Sequence, residues 1–349
     1  MKKEDVLRYA GSMQQLAYAR RIVYDEGRAR GLNAVEVKNG PMRFVVMLDK
    51  CLDISELSFR GDQVNFLSKP GLNGRNPFDT HGGEAQRSIM GGLFFTCGFE
   101  NICAPYENAS GSYPMHGRMR TSPAENVAVN ADWEGDDYVI TVSGNIREAM
   151  LFGENLVLHR TIRTVYGKYD IEIIDEVSNE AFREETCCMM YHCNIGYPYL
   201  NEHCRLILPT KKVTPRDPWS EAHKEAFNVM DAPKDNEEEY VFLHTLASDE
   251  NGDTLAAVVD DEAKRGVRLS FNTKSFPEFG QWKSTASGDY VMGLEPANLK
   301  VYGRQYAEEH NALPTIKAQE KKTFRLTFSL LEGSDAIREA DEICKKILQ

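Results

Sequence analysis

Two residues of this 349-residue chain have the type and setting for proton transfer. His192 lies in Met190-Tyr191-His192-Cys193-Asn194-Ile195-Gly196-Tyr197-Pro198, where an apolar, strand-like run from Thr186 to Tyr191 gives way to a Gly-Tyr-Pro turn. An imidazole held by a strand yet open to a ligand has both charge states within reach near neutral pH, so it can donate or accept a proton. Glu295 lies in Gly293-Leu294-Glu295-Pro296-Ala297-Asn298. Tyr290 to Leu294 reads as a strand, and Pro296 keeps Glu295 out of the helical region while ending ladder pairing. The carboxylate is thus expected at a strand exit, aimed into a cleft. Each residue has a plainer alternative: a lone histidine near a strand end is more often a hydrogen-bonding part of the fold, and a turn glutamate is usually solvated.

His116-Gly117-Arg118 is a third anchor, though a turn histidine can equally cap a backbone group. In Phe276-Pro277-Glu278-Phe279-Gly280-Gln281-Trp282-Lys283, Trp282 with Gln281 or Lys283 would fit the design of a sugar-binding surface, a flat apolar ring with polar tips, although a tryptophan is more often part of the core. Among the remaining histidines, His244 shares a strand face with Phe242 and Leu246 and reads as core. His159 shares one with Val157 and Thr161 and can be exposed. His81, His203, His223 and His310 lack an arguable partner. Cys187, Cys188, His192, Cys193, His203 and Cys204 cluster in sequence, but no C-x-x-C pair occurs and adjacent cysteines on a strand point to opposite faces, so no metal site is expected. The glycines around His81-Gly82-Gly83 and Gly91-Gly92 are followed by neither Gly-Lys-Ser/Thr nor a helix, which excludes a phosphate-binding loop.

The elements that must position these residues are mainly strands. Residues 4–19 read as a helix, with Val6, Tyr9, Ala10, Met13, Leu16 and Ala17 at helical spacing. Strands follow at 34–37 and 43–48 around the Asn39-Gly40 hairpin signal, and at 54–59 with an extension to 64–67. Residues 68–92 form a long Gly-, Pro- and Asn-rich loop. Further strands are expected at 138–143, 156–165, 169–177, 186–192, 205–208, 240–246, 254–259, 266–271, 290–294 and 323–330. Residues 211–239, polar and proline-rich, read as an irregular surface excursion. Ser334-Asp335 should cap a C-terminal helix over 334–348, with Ile337, Ala340, Cys344 and Ile347 inward and Lys345 and Lys346 at the negative end of its dipole. Strands without β-α-β alternation predict a mostly β fold, a large antiparallel β-sandwich with peripheral N- and C-terminal helices, forming a single domain over 1–349.

The net charge of −12 argues against nucleic acid or an anionic membrane as partner. Neither a secretory leader after Met1-Lys2-Lys3-Glu4-Asp5 nor an apolar run of about 18 residues is present, so a cytoplasmic protein is expected, with the eight scattered cysteines reduced.

Together the anchors resemble the aldose 1-epimerase (galactose mutarotase-like) superfamily, and more closely a little-characterised bacterial branch of it. The matching segments are Asp49-Lys50-Cys51-Leu52-Asp53-Ile54, the run from Gly92 to Asn101, His116-Gly117-Arg118, Tyr191-His192-Cys193-Asn194, Trp282 and Gly293 to Asn298, in consistent order over roughly residues 20–330. Lys50 stands where that branch has arginine, and the residues around His192 depart from the histidine-aromatic-Phe-Asn run of galactose mutarotases. The resemblance implies a supersandwich whose cleft binds a monosaccharide or derivative. It assigns Glu295 as general base and His192 as general acid on opposite sides of a hemiacetal, and His116 as a ligand of hydroxyls near the ring oxygen. Arg118, Asn194 and Trp282 become further substrate contacts. It implies no cofactor and no metal, and a monomer or homodimer. For an acidic or phosphorylated sugar, Arg118 and Lys283 are the expected cations. Another sugar isomerase or a lyase using the same cleft, or a non-catalytic sugar sensor, are the alternative readings. A sensor has no need of an acid–base couple.

Overall fold

The computed structural model describes residues 2–74 and 82–349. Two antiparallel sheets carry most of it. The larger has eight strands in the order Cys204–Ile207, Asp253–Asp260, Arg265–Asn272, Lys321–Glu332, Asp170–Asn179, Asn155–Val165, Asp137–Ala149 and Ala124–Glu134. The smaller has six, in the order Thr210–Pro215, Tyr240–Leu246, Glu278–Ala286, Asp289–Ala297, Cys188–Gly196 and Phe94–Phe99. A five-stranded meander from Tyr18–Val23 to Asp62–Gln63 adjoins them.

The sheets pack face to face because each strand alternates. Along Cys188–Gly196, Tyr191, Cys193 and Ile195 enter the core with Ile140, Leu158, Ile173 and Phe328 of the larger sheet. Phe94 meets Phe328 edge to face across this layer, centroids 6.0 Å apart. Within it Arg160 is fully buried. Its guanidinium donates to both oxygens of Asp175, at 2.9 and 2.6 Å, and to Asp53 Oδ1, the Cys51 carbonyl and Thr96 Oγ1, each at 2.9 Å. The Tyr191 hydroxyl also donates to Asp175.

The N-terminal helix over 4–19 is corrected to Lys3–Leu7, followed by a 3-10 turn at Met13–Gln15 and the strand Tyr18–Val23. Val6, Ala10, Met13 and Ala17 are buried as their spacing implies. However, Ser12 is extended and its side chain accepts from the Gln14 amide, restarting the chain, and pairing with Asn33–Lys38 claims the residues from Tyr18 on. The C-terminal helix spans Ser334–Leu348 with Ile337, Ala340 and Cys344 buried. Its N-cap is Gly333, not Ser334-Asp335, and no side chain caps it. Residues 210–226 are also more ordered than the sequence suggests, forming the edge strand Thr210–Pro215, the helix Pro218–Ala222 and a 3-10 turn at Lys224–Ala226.

Candidate active site

His192 and Glu295 sit inside strands, not at their ends. The Cys188–Gly196 and Asp289–Ala297 strands pair with Met190 opposite Ala297 and Cys193 opposite Leu294. The same register places His192 opposite Glu295 in the gap between these pairs, where Pro296 has no N–H for the ladder. Asn298 closes the strands beyond the gap: its Oδ1 accepts from the Met189 amide at 2.8 Å and its Nδ2 donates to the Cys187 carbonyl at 2.8 Å. Two side chains directly opposite on antiparallel strands lie close enough to touch. His192 Nε2 stands 2.9 Å from Glu295 Oε1, and the two side chains are only 12% and 4% exposed.

Neighbouring strands complete the same face. Phe95 lies opposite His192, Gly280 opposite Glu295, and Trp282 opposite Gly293. The Trp282 ring meets His192 edge to face at 5.2 Å. Two glycines make room for the couple: a Cβ on Gly280 would stand 2.8 Å from Glu295 Oε2, and one on Gly293 3.1 Å from both Glu295 Oε1 and His192 Cε1. His116 reaches the face from a separate loop. Its Nδ1 accepts from the Cys103 amide at 3.2 Å, and its ring meets Phe95 and His192 edge to face at 5.6 and 5.9 Å. With Nδ1 accepting, the neutral ring carries its proton on Nε2.

The two histidines are tuned apart. Burial opposes the charge on His192, but the Glu295 carboxylate, through its charge and hydrogen bond, together with Asn194 and Glu239, more than offsets it and raises the pKa above the ordinary value. Burial, then the nearby positive charge of His192 and Arg120, holds His116 well below that value. One ring is therefore disposed to be an acid and the other to remain a neutral hydrogen-bond donor.

Of the residues expected from sequence, His192, Glu295, His116 and Trp282 come together. Asn194 shares the face but is buried, its Nδ2 donating to the Gly92 and His192 carbonyls at 3.0 and 3.2 Å. Through Nδ2 it orders the strand beside His192, while its Oδ1 is buried without a hydrogen-bond partner. The Arg118 guanidinium is engaged by Glu100 at 2.5 Å and the Ser112 carbonyl at 3.1 Å. Lys283 is excluded as a ligand cation because strand alternation turns it away from Trp282, and Nζ donates to the Ala226 and Val229 carbonyls at 3.0 and 2.7 Å. His244 is core, as expected. His81 lies outside the described residues. Among the described residues no group of three or more His, Cys, Asp or Glu is placed to hold a metal ion, and no helix is long and apolar enough to cross a membrane.

Sequence reasoning missed Arg216 and Glu239. Glu239 Oε2 accepts from Trp282 Nε1 at 2.8 Å, and its Oε1 accepts from Arg216 Nη2 at 2.9 Å. Both belong to the stretch read as a surface excursion. Only the pairing of Val241 with Trp282, and the Arg216 amide's bond to the Val241 carbonyl, bring them to the site. An acidic run such as Glu237 to Glu239 gives no local signal of this.

The chain belongs to the family described as a domain of unknown function, DUF4432, whose model matches residues 29–330. No curated protein matches the sequence. Among solved structures, a protein of Klebsiella pneumoniae subsp. pneumoniae MGH 78578, provisionally described as an aldose 1-epimerase, aligns with a TM-score of 0.88 at 20% identity over 96% of this chain and 92% of its own. A galactose mutarotase-like protein of Clostridium acetobutylicum aligns with a TM-score of 0.63 at 12% identity over 91% and 99%. Galactose 1-epimerase of Lactobacillus acidophilus NCFM gives 0.54 at 12% over 91% and 99%. The chain therefore has the galactose mutarotase-like β fold.

Proposed function

We propose that the protein is an aldose 1-epimerase-like isomerase that interconverts the anomers of a monosaccharide, with Glu295 as base and His192 as acid. The observation that carries this is the 2.9 Å contact between His192 Nε2 and Glu295 Oε1 on a face that also holds the Trp282 ring. The anomeric hydroxyl and the ring oxygen of a sugar are bonded to one carbon. An acid and a base that touch at rest can therefore address both, and the sequence-based picture of groups on opposite sides is not required. Substrate replaces their mutual hydrogen bond. Glu295 takes the proton of the anomeric hydroxyl while protonated His192 delivers one to the ring oxygen, and the bond from C1 to that oxygen breaks. Rotation about C1–C2 and the reverse transfers close the other anomer. Each positioned group typically contributes about 10²–10⁴-fold.

Neutral His116, donating through Nε2, suits a sugar oxygen, and Trp282 offers a ring against which a pyranose can lie. The cations first suspected are spoken for: Arg118 by Glu100 and Lys283 by backbone carbonyls. Neither is thus free to meet an acidic or phosphorylated sugar, and the cation that the site does hold, Arg216, is bound by Glu239. The likeness to proteins described as epimerases and mutarotases supports the reading through fold alone.

The test is exchange between α and β anomers by NMR across neutral aldoses, uronic acids and sugar phosphates, for wild type, Glu295→Gln and His192→Asn. Accelerated exchange for one sugar, lost by on the order of 10²-fold or more in each variant, is expected. Binding without acceleration for any sugar would overturn the enzyme reading for that panel and leave a sugar sensor.

A further inference from the structure

Four large apolar side chains stand almost bare at one end of the eight-stranded sheet. Met150, Leu151 and Phe152 form the tip between the strands Asp137–Ala149 and Asn155–Val165 and are 62%, 83% and 93% exposed. Phe182, 92% exposed, follows the strand Asp170–Asn179. The two segments are neighbours. Leu156 pairs with Asn179, the Glu180 amide donates to the Asn155 carbonyl at 2.9 Å, and Arg147 Nη1 donates to both Asn155 Oδ1 and Glu180 Oε2. Phe152 is held there at a φ of 63°, a left-handed conformation that a bulky side chain rarely adopts. That conformation belongs to the hairpin turn itself, in which the Gly153 amide donates to the Met150 carbonyl at 2.8 Å and the Met150 amide to the Glu154 carbonyl at 3.0 Å. The exposure of the four side chains, by contrast, gains nothing in a lone copy.

We infer that this tip is the surface through which two copies of the chain associate about a two-fold axis. Contiguous exposed apolar side chains on this scale mark an interaction surface. A buried phenylalanine removes about 150–250 Å² from water, so the patch offers roughly 500 Å² per copy once Leu151 and Met150 are added. Two copies meeting here remove on the order of 1,000 Å², the area at which a specific interface begins. A two-fold contact must be self-complementary. A projecting Leu151-Phe152 tip beside Phe182 meets that condition, since the tip of each copy can lie against Phe182 of the other. The rim argues against a charged occupant. Arg147 is paired with Glu125 and Glu180, and Arg183 with Glu185, all within the chain, and the net charge of −12 opposes an anionic lipid surface. The inference is independent of the acid–base site.

The test is sedimentation equilibrium of the full chain across micromolar concentrations, beside Leu151→Glu/Phe152→Glu, Phe182→Glu and Phe152→Gly. Wild type is expected to be dimeric and the glutamate variants monomeric, with unchanged near-UV circular dichroism because the altered positions are exposed. Phe152→Gly should weaken the dimer while raising monomer stability, since glycine adopts this φ freely. A wild type monomeric throughout the range, or glutamate variants as dimeric as wild type, would overturn the inference. So would a monomer that co-sediments with neutral phosphatidylcholine vesicles through the same residues, which would make the tip a lipid contact.

Discussion

Gly280 lies directly opposite Glu295 across a strand pair, and a methyl group placed on it would meet Glu295 Oε2 at 2.8 Å. The bare backbone at 280 therefore sets where the carboxylate can rest. It also sets the distance from Glu295 to His192, because the other oxygen makes that contact.

Gly280→Ala should consequently displace the carboxylate while leaving the sheet paired. The expected result is a loss of anomer exchange of about tenfold or more, borne by kcat, since small misplacements of a reacting group are costly. The next nearest atoms, Val301 Cγ2 and Cγ1 at 3.1 and 3.2 Å, belong to a single side chain, so the change in Tm should be modest. Full activity in this variant would mean that the position of Glu295 does not matter to the reaction.

The His192–Glu295 couple also predicts a titration that needs no substrate. The folded pKa of His192 is raised, burial being outweighed by Glu295. The pair's stabilisation is therefore fully present below the unfolded histidine value of about 6.5 and is lost as pH rises through the higher folded value. Activity that depends on the imidazolium should fall on the same alkaline limb. In Glu295→Gln the carboxylate charge is gone while burial remains, so the imidazole NMR titration of His192 should move to lower pH than in wild type. An unmoved titration would show that the contact is not electrostatic.

Much of the architecture was legible because burial writes itself as alternation. Phe324, Leu326, Phe328 and Leu330 recur every second residue, and all four are core. What escaped has physical reasons. Ala124–Glu134 is an edge strand whose residues are mostly exposed or half-buried, so it carries little apolar signal. The N-terminal spacing of Val6, Ala10, Met13 and Ala17 reports burial without reporting one continuous helix, since Val6 lies in the short helix, Met13 in the 3-10 turn and Ala10 and Ala17 in the irregular segments that follow them. His192 and Glu295 were visible as residues, but their direct contact depends on a register joining strands about a hundred residues apart. Glu239 was invisible for the same reason.

Behind the site, the core offers a sharper stability test. Tyr191, next to His192 in sequence but facing the opposite way, donates to Asp175, which in turn binds Arg160 through both oxygens. Asp53 shares that guanidinium, and burial, opposed by Arg160 and Thr96, pushes its pKa up to about 6. Asp175→Ala leaves a buried cation short of a partner and should cost about 3–5 kcal/mol in denaturant unfolding. Tyr191→Phe removes one hydrogen bond to a charged group and should cost about 1.5–3 kcal/mol. A loss below about 1 kcal/mol for Asp175→Ala would show that Asp53 alone can satisfy Arg160.

His244 makes the fold sensitive to acid in a way that can be assigned to one residue. It is 3% exposed, with Thr210 Oγ1 3.0 Å from Nδ1 and Gln281 Oε1 3.0 Å from Nε2. The amide oxygen can only accept, so Nε2 carries the proton and Nδ1 accepts from the threonine hydroxyl. A second proton, on Nδ1, would have to turn the Thr210 hydroxyl from donor to acceptor in a site shut off from solvent, and burial lowers the pKa to about 4 although the Gln281 bond works the other way. Because the folded value is depressed, the stabilising contribution is present above about 6.5, the unfolded value, and is lost as pH falls through 4. Over that window it amounts to on the order of 3 kcal/mol. Asp53, raised to about 6, acts with the opposite sign over part of the same range, so the wild-type curve reports the difference between them. His244→Gln removes the titration while keeping a polar side chain in the pocket. The variant should be less stable than wild type at pH 7, and its stability should fall less between pH 6.5 and 4 when both are unfolded in urea at a series of pH values. Parallel curves would show that some other group controls the acid transition.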